Sequence, residues 1–137
     1  MKSKYIPAAL RRKVHERARS RCEYCLLSEE HAFFSHEPDH IIAEKHGGNT
    51  TEQNLALACF DCNRFKGSDI ASIDLADNNL VPLFNPRTQE WDEHFAIEHG
   101  KIIPLTPVGR VTTRLLKFNL PERIEVRETL ALFERYP

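Results

Sequence analysis

Hydrophobic residues near the start of the chain recur with the spacing of an α-helix. Leu10, Val14 and Ala18 stand four positions apart, so they fall on one narrow face of a helix. Proline is typical of a first helical turn, and the pattern predicts a helix from Pro7 to about Ser20. The rest of the helix surface is polar and mostly basic.

The middle of the chain has the pattern of two short strands followed by a helix. Asp39–Ala43 and Leu55–Ala58 are the predicted strands, and the polar segment between them contains the turn signal Gly47-Gly48-Asn49. Cys62–Lys66 begins the helix, and Gly67 is positioned to cap it. The expected order is therefore strand, loop, strand, helix.

The pattern after this helix is more mixed. Ile70–Leu83 carries an Asn-Asn turn signal, whereas Phe95–Ile97 and Ile102–Leu105 are predicted strands. The turn His99-Gly100-Lys101 between them predicts a hairpin. The pattern of Arg110–Leu116 fits either a strand or the start of a helix.

A last helix is predicted at the C-terminal end. Asn119 is a candidate cap, and the helix is expected to run from Pro121 to about Arg135. The residues expected to face inward are Ile124, Leu130, Ala131 and Phe133.

Length and composition fit one ordinary globular domain. The chain has 137 residues, 41% of them hydrophobic, which excludes wholesale disorder. The longest unbroken apolar run is Leu55–Phe60, much shorter than the roughly 20 residues of a membrane span. The basic N-terminus lacks the apolar stretch of a secretory signal, so the expected compartment is the cytoplasm.

The near-neutral net charge of −1 hides two oppositely charged segments. Residues 1–21 contain eight basic side chains and the single acid Glu16, whereas residues 22–63 contain eight acidic side chains and the single base Lys45. This asymmetry indicates an anionic partner together with a cation site.

The four cysteines form two C-x-x-C pairs, which is the typical pattern of a structural zinc site. Four thiolates complete a tetrahedral shell and leave no position for a catalytic water. Disulfides and a redox motif are the less favoured alternatives, because the chain has no secretion signal and because a redox motif of the thioredoxin type needs a single C-x-x-C in a βαβ unit. The expected ligands are Cys22, Cys25, Cys59 and Cys62.

Between and beside these pairs stand motifs that carry chemistry. They are D-H-I at residues 39–41, Gly-Gly at 47–48, N-L-A-L-A-C at 54–59 and C-N-R-F-K-G at 62–67. In this order and spacing they resemble the HNH endonuclease family, the ββα-metal nucleases. Some C-terminal segments are similar to the extension of a subset of bacterial HNH proteins: Pro82–Arg87, Trp91, His94-Phe95 and Gly109-Arg110.

The resemblance implies an α+β fold. The expected architecture is a small zinc-stabilised ββα-metal core over about residues 20–70, preceded by the basic helix. A strand and helix extension over about residues 71–137 completes a single nuclease domain, residues 1–137.

The resemblance also implies roles in hydrolysis of DNA phosphodiester bonds. His40 matches the general base, a suitable role for an imidazole with an ordinary pKa of about 6.5. Asp39 and Asn63 match the oxygen ligands of one catalytic cation, Mg²⁺ or Mn²⁺. Asn54 is expected to orient the loop that bears the histidine, and Glu37 is an additional candidate ligand.

The expected partner is double-stranded DNA, and a separate protein partner is also considered. The candidate contacts to nucleic acid are Arg11, Arg12, Lys13, Arg17, Arg19, Arg64 and Lys66. The alternative function is a zinc-dependent nucleic-acid-binding module without catalysis.

One geometric difficulty concerns the candidate site. Neighbouring side chains of an ideal strand leave opposite faces, so Asp39 and His40 approach one phosphate only if the backbone bends. Pro38 makes such an irregularity plausible, and the sequence leaves the question open.

Overall fold

In the computed structural model, which describes residues 5–137, the N-terminal helix α1 spans Ala8–Ala18. Pro7 is its extended N-cap rather than part of its first turn. Arg19 ends the helix in the left-handed conformation, with φ at 55°. The predicted apolar stripe is confirmed, because Val14 is fully buried and Leu10 and Ala18 pack beside it. Lys2 and Lys4 of the basic N-terminal segment lie outside the described residues.

Strands β1 (Glu37–His40) and β2 (Leu55–Ala58) form an antiparallel pair in which Asp39 lies opposite Ala56. Strand β2 agrees with the prediction, whereas β1 begins and ends earlier than expected. The amide of Ile41 still donates to the backbone carbonyl of Asn54, but the amide of Ile42 donates to the side-chain oxygen of Asn54, so the backbone pairing ends here.

Helix α2 (Phe60–Lys66) follows β2 directly. It begins two residues before the predicted start, because the Cys59 side chain caps it by accepting from the amide of Cys62. Gly67 ends the helix with φ at 54°, as expected, and bonds back to the carbonyl of Asn63. Short 3-10 turns span Glu29–His31, Glu44–His46 and Glu52–Asn54.

The C-terminal extension is a series of two hairpins and three helices. Its elements are β3 (Ala71–Ile73), β4 (Leu80–Pro82), α3 (Trp91–His94), β5 (Phe95–Glu98), β6 (Lys101–Pro104), α4 (Pro107–Leu115) and α5 (Pro121–Leu132). The predicted hairpin is confirmed as β5–β6. The ambiguous segment at 110–116 belongs to helix α4, which Thr106 caps by accepting from the amide of Gly109 at 3.0 Å.

The expected inner face of the last helix is only partly confirmed, because Ile124 and Leu130 are half-buried. Ala131 and Phe133 are exposed, and the buried side chains of α5 are Arg123 and Arg127. The helix cap also differs, because Leu120 takes that position. The reason is that the buried guanidinium groups of Arg123 and Arg127 donate to backbone carbonyls of the extension, those of Leu116 and Gly100 among them.

Two apolar clusters hold these elements together. The smaller one joins α1 to β2 through Ile6, Val14, Leu55 and Leu57. The larger one contains the four cysteines and Tyr24 together with aromatic residues of the extension, Phe84, Phe95 and Phe118. The extension therefore packs on the same core as the cysteine pairs. Within residues 5–137, no helix combines the length and the hydrophobicity that crossing a membrane requires.

Candidate metal centre and nuclease site

The four cysteines come together in the larger core. Their sulfur atoms lie within 4.8 Å of one another, and all four side chains are buried. Cys25 Sγ and Cys59 Sγ are 3.7 Å apart. A tetrahedron of sulfurs about 2.3 Å from a central Zn²⁺ has edges of about 3.8 Å, so the spacing fits this ion.

The surroundings of the sulfurs favour a bound cation. Burial raises the pKa of the Cys22 and Cys62 thiols well above the ordinary value, so holding them as thiolates requires a positive charge nearby. In each pair the second cysteine donates its amide to the first sulfur, at 3.4 Å in both cases. The two C-x-x-C knuckles, Cys22–Cys25 and Cys59–Cys62, therefore have matching geometry, and they fit a structural Zn²⁺.

Asp39 lies in a buried polar cluster beside the zinc knuckles. Its side chain is fully buried, and its Oδ2 atom accepts from the Tyr24 hydroxyl at 3.1 Å. Lys66 Nζ lies 3.1 Å from the same oxygen. Burial and the Asp39 carboxylate raise the pKa of Tyr24, so the phenol stays a hydrogen-bond donor. Three distant segments of the chain thus meet at one carboxylate.

Lys66 is buried, although the sequence predicts it as an exposed contact to phosphate. Its side chain is only 2% exposed, and its ammonium also donates to the carbonyls of His40 and Ile41, at 3.1 Å each. A phosphate contact requires an exposed ammonium, so the structure does not support that expectation. Instead, Lys66 fixes the end of β1 from the adjoining helix α2.

His40 and Asn54 shape the loop between the two strands. His40 is almost buried, and its Nε2 lies 2.9 Å from the Thr50 hydroxyl oxygen. The side-chain amide of Asn54 accepts from the backbone N–H of Ile42 through its oxygen. It donates through its nitrogen to the backbone carbonyls of Ile42 and Asn49, and all three distances are 2.8–2.9 Å. Asn54 therefore clamps the segment just after His40, which is the geometry that an orienting residue needs.

The Gly-Gly turn of this loop depends on a close backbone approach. A Cβ atom at Gly48 would lie 1.7 Å from the carbonyl oxygen of Ile42 and 2.8 Å from the amide nitrogen of Asn54. Only glycine allows the loop to fold back here, which explains the turn motif in packing terms.

The two other candidate ligands occupy different surroundings. Asn63 is half-buried and lies one helical turn before Lys66, so both belong to the side of α2 that faces β1. Glu37 is exposed and pairs with Arg11 at 3.0 Å. The structure thus places Asn63 on the same side of α2 as Lys66, and it directs Glu37 toward helix α1.

The two central candidates contact different groups. Asp39 bonds to Tyr24 and Lys66, whereas His40 bonds to Thr50, and both residues belong to the regular part of β1. The strand therefore shows no bulge at Pro38. The connection between them runs through Lys66, whose ammonium touches the carboxylate of one and the carbonyl of the other.

The basic face of α1 is partly engaged within the protein. Arg11 pairs with Glu37, and Lys13 pairs with Glu52 at 3.3 Å. Arg17 donates to the carbonyls of Glu52 and Leu55, at 2.8 Å and 2.6 Å, and so anchors the helix to the start of β2. The exposed candidates on this helix include Arg12 and Arg19.

An exposed aromatic surface lies at the start of α2, and its residues were not among those predicted from the sequence. Phe33 is 94% exposed and contacts Phe34, which in turn lies 4.7 Å from Phe60 between ring centroids. The Arg64 guanidinium stands over the rings of Phe60 and Phe65. The adjacent Phe-Phe pair was the available signal, because large apolar side chains next to each other in a polar loop rarely serve a core.

Comparison with known proteins agrees with these features. The family model of the HNH endonuclease matches residues 22–69. No curated protein and no solved structure matches the chain. The matched segment begins at the first cysteine and ends just after α2, so it contains both knuckles and the two paired strands. Residues 22–69 therefore match an HNH endonuclease domain, and this segment contains the cysteine cluster and the buried Asp39–Lys66 pair.

Proposed function

We propose that this protein is a metal-dependent endonuclease that hydrolyses DNA phosphodiester bonds. The observation that carries the proposal is the position of His40, which hydrogen bonds to Thr50 and lies beside a segment clamped by Asn54 within the HNH domain. A general base needs this combination of partial burial and fixed orientation. Thiols instead of disulfides fit action in the cytoplasm.

In the proposed mechanism His40 takes a proton from the attacking water. The Thr50 hydroxyl and the Asn54 clamp hold the imidazole in place, so that little reorganisation accompanies proton transfer. Asp39 and Asn63 offer a carboxylate and an amide oxygen, which are the donors that Mg²⁺ or Mn²⁺ prefers. When bound, such a cation supplies electrostatic stabilisation to the phosphate.

Binding of a cation by Asp39 involves the buried cluster. The Lys66 ammonium already offsets the charge of this carboxylate, and Tyr24 donates to the same oxygen. We therefore expect metal binding at the candidate site to be coupled to the stability of the core. Asn63 sits on the same side of α2 as Lys66, where it can share the cation. Glu37 contributes through Arg11 and the placement of α1.

The proposed substrate is double-stranded DNA, bound across α1 and the start of α2. Arg12 and Arg19 supply exposed positive charge, and Arg11, Lys13 and Arg64 add charge that their acidic partners partly offset. The aromatic surface of Phe33, Phe34 and Phe60 adds a place where an unpaired base of such DNA can stack. A separate protein partner remains part of the proposal, and the whole chain acts as one domain.

The burial of Asp39 favours a second candidate function. A carboxylate that is fully buried and paired with an ammonium has the properties of a structural ion pair. A zinc-dependent nucleic-acid-binding module without catalysis would have this arrangement. The two functions differ in whether phosphodiester bonds are cut.

The experiment is cleavage of supercoiled plasmid by purified, zinc-loaded protein, with and without Mg²⁺ or Mn²⁺. We expect cleavage that needs the added cation, and His40→Ala should slow it about 10²–10⁴-fold while it keeps zinc and fold. His31→Ala, which alters a histidine outside the site, is the matched control and should cut normally. DNA binding without cleavage by the wild type would support the binding module.

The aromatic surface allows a separate test of nucleic-acid binding. Phe34→Ala removes the ring that connects Phe33 to Phe60, and stacking predicts about five- to hundredfold weaker binding of DNA with an unpaired stretch. Phe133→Ala is the matched control, because that ring is also exposed but lies at the end of α5. Equal affinities for the two variants would exclude this surface from the interface.

A further inference from the structure

Helix α5 turns two arginines into the protein rather than toward solvent. Arg123 is 8% exposed and Arg127 is 2% exposed. A buried guanidinium is costly unless its donors are satisfied and its charge is offset. The partners of these two side chains therefore show what the helix is built to contact.

Arg123 reaches the cysteine cluster. Its Nη2 lies 3.2 Å from Cys62 Sγ and 3.8 Å from Cys59 Sγ. Its Nη1 donates to the carbonyls of Leu116 and Lys117, at 2.7 Å and 3.0 Å, just after helix α4. One guanidinium thus connects the second knuckle of the HNH domain to the extension.

Arg127 and Tyr136 attach the C-terminal region at two further points, and only Tyr136 does so at a cysteine. Arg127 donates to the carbonyls of Gly100 and Phe118, both at 2.7 Å, so its hydrogen bonds there are to uncharged groups. The Tyr136 hydroxyl donates to the carbonyl of Cys25 at 2.7 Å. The first knuckle therefore contacts the C-terminal segment through Tyr136, and the second knuckle contacts α5 through Arg123.

The charge of the centre explains why cations are placed here. Four thiolates around Zn²⁺ carry a net charge of −2, and the cluster is buried. Hydrogen-bond donors beyond the metal ligands stabilise such a charge and withdraw electron density from the sulfurs. Arg123 supplies both a charge and donors directed at two of the four sulfurs.

We infer that Arg123 is a positioning residue of the zinc centre, through which α5 acts as a cationic cap on the thiolates and binds the extension to the HNH domain. The cap makes retention of zinc depend on the extension. Since the coupling is reciprocal, loss of zinc weakens the docking of α5. The inference is independent of nuclease activity, because it concerns the thiolates and not the candidate catalytic residues.

The experiment compares zinc release from full-length Arg123→Met and wild-type protein, both loaded with one Zn²⁺. Transfer of zinc to a chromogenic chelator is followed well below the unfolding temperature of either protein. Loss of the thiolate donors should make release about 10–100-fold faster. Alkylation of the cysteines by iodoacetamide should accelerate as well, because sulfurs without a donor are more nucleophilic.

Arg110→Met is the matched control. Arg110, like Arg123, is an arginine of the extension that forms directed contacts with an anionic group. Its partner is the Asp74 carboxylate, which it contacts through two nitrogens, and not a sulfur. We expect this variant to unfold at a lower temperature and to release zinc at the wild-type rate. Equal acceleration of zinc release in both variants would overturn the inference, because general loosening of the extension would then account for it.

A conservative variant covers the case in which Arg123→Met does not fold. Arg123→Lys keeps the charge but has a shorter reach and no planar pair of donors. It should release zinc faster than the wild type and faster than Arg110→Lys. Release at the wild-type rate by Arg123→Lys, with alkylation also unchanged, would show that the sulfur contacts have no effect on the metal.

Discussion

Removing the Lys66 ammonium tests the buried cluster that underlies the candidate nuclease site. Lys66→Met keeps most of the side-chain volume but leaves the buried Asp39 carboxylate without its cation. It also takes a donor from the carbonyls of His40 and Ile41. Breaking a buried ion pair from one side costs about 3–5 kcal/mol. For a chain of this length that loss corresponds to a melting temperature lower by about 10–17 °C.

The assay is urea unfolding of zinc-loaded protein in a double-mutant cycle with Asp39→Asn. The double variant has neither charge, so it should be more stable than the sum of the two single losses implies, by more than about 1 kcal/mol. A divalent cation should stabilise Lys66→Met more than the wild type if Asp39 binds metal, because the cation then replaces the missing ammonium. Additive losses within about 0.5 kcal/mol would refute the ion-pair reasoning.

Three other predictions follow from single contacts. Cys59→Ser should bind less zinc by elemental analysis and should unfold much more readily. The reason is that the free energy of metal binding contributes directly to the free energy of folding in such a site. A well-folded variant with a full complement of zinc would contradict this prediction. Arg110 lowers the pKa of Asp74, so the stability advantage of the wild type over Asp74→Asn should hold above about pH 4 and disappear as the pH falls further; an advantage that persisted at pH 2 in thermal melts would contradict the pairing. Arg12→Ala should reduce the slope of log K against log salt for DNA by about 0.9, whereas Arg17→Ala should mainly lower the melting temperature; an unchanged slope for Arg12→Ala would mean that its charge is only solvated.

Local signals in the sequence were sufficient for much of the fold. The apolar stripe of α1, strand β2 and the β5–β6 hairpin each follow from spacing or turn residues within a few positions. The cysteine cluster was predictable for the same reason, because a C-x-x-C knuckle is defined by short-range geometry. The end of β1 was not predictable, since it depends on a side chain of Asn54 that stands in for a strand partner.

Three of the features that the sequence concealed share one cause, which is the burial of charge. Patterns of hydrophobic and polar residues assign arginine and lysine to the surface, so Lys66 was predicted to contact phosphate, and the inner face of α5 was predicted from its apolar residues alone. Each of the cations Lys66, Arg123 and Arg127 is buried because its partner is an anionic group or a set of carbonyls contributed by another segment. No periodicity within a helix reports such a partner.

This pattern of buried cations links the site to the rest of the chain. Lys66 attaches the helix of the HNH domain to its first strand, and Arg123 attaches the extension to the second knuckle, 61 residues away in sequence. Both contacts are directional and both offset a charge that the candidate chemistry requires, on a carboxylate in one case and on thiolates in the other. A chain of this size has a limited apolar core, so such contacts fix the relative positions of segments that hydrophobic packing alone would leave less precisely defined. The extension is therefore better understood as part of the surroundings of the cysteine cluster than as an appendage to the HNH domain.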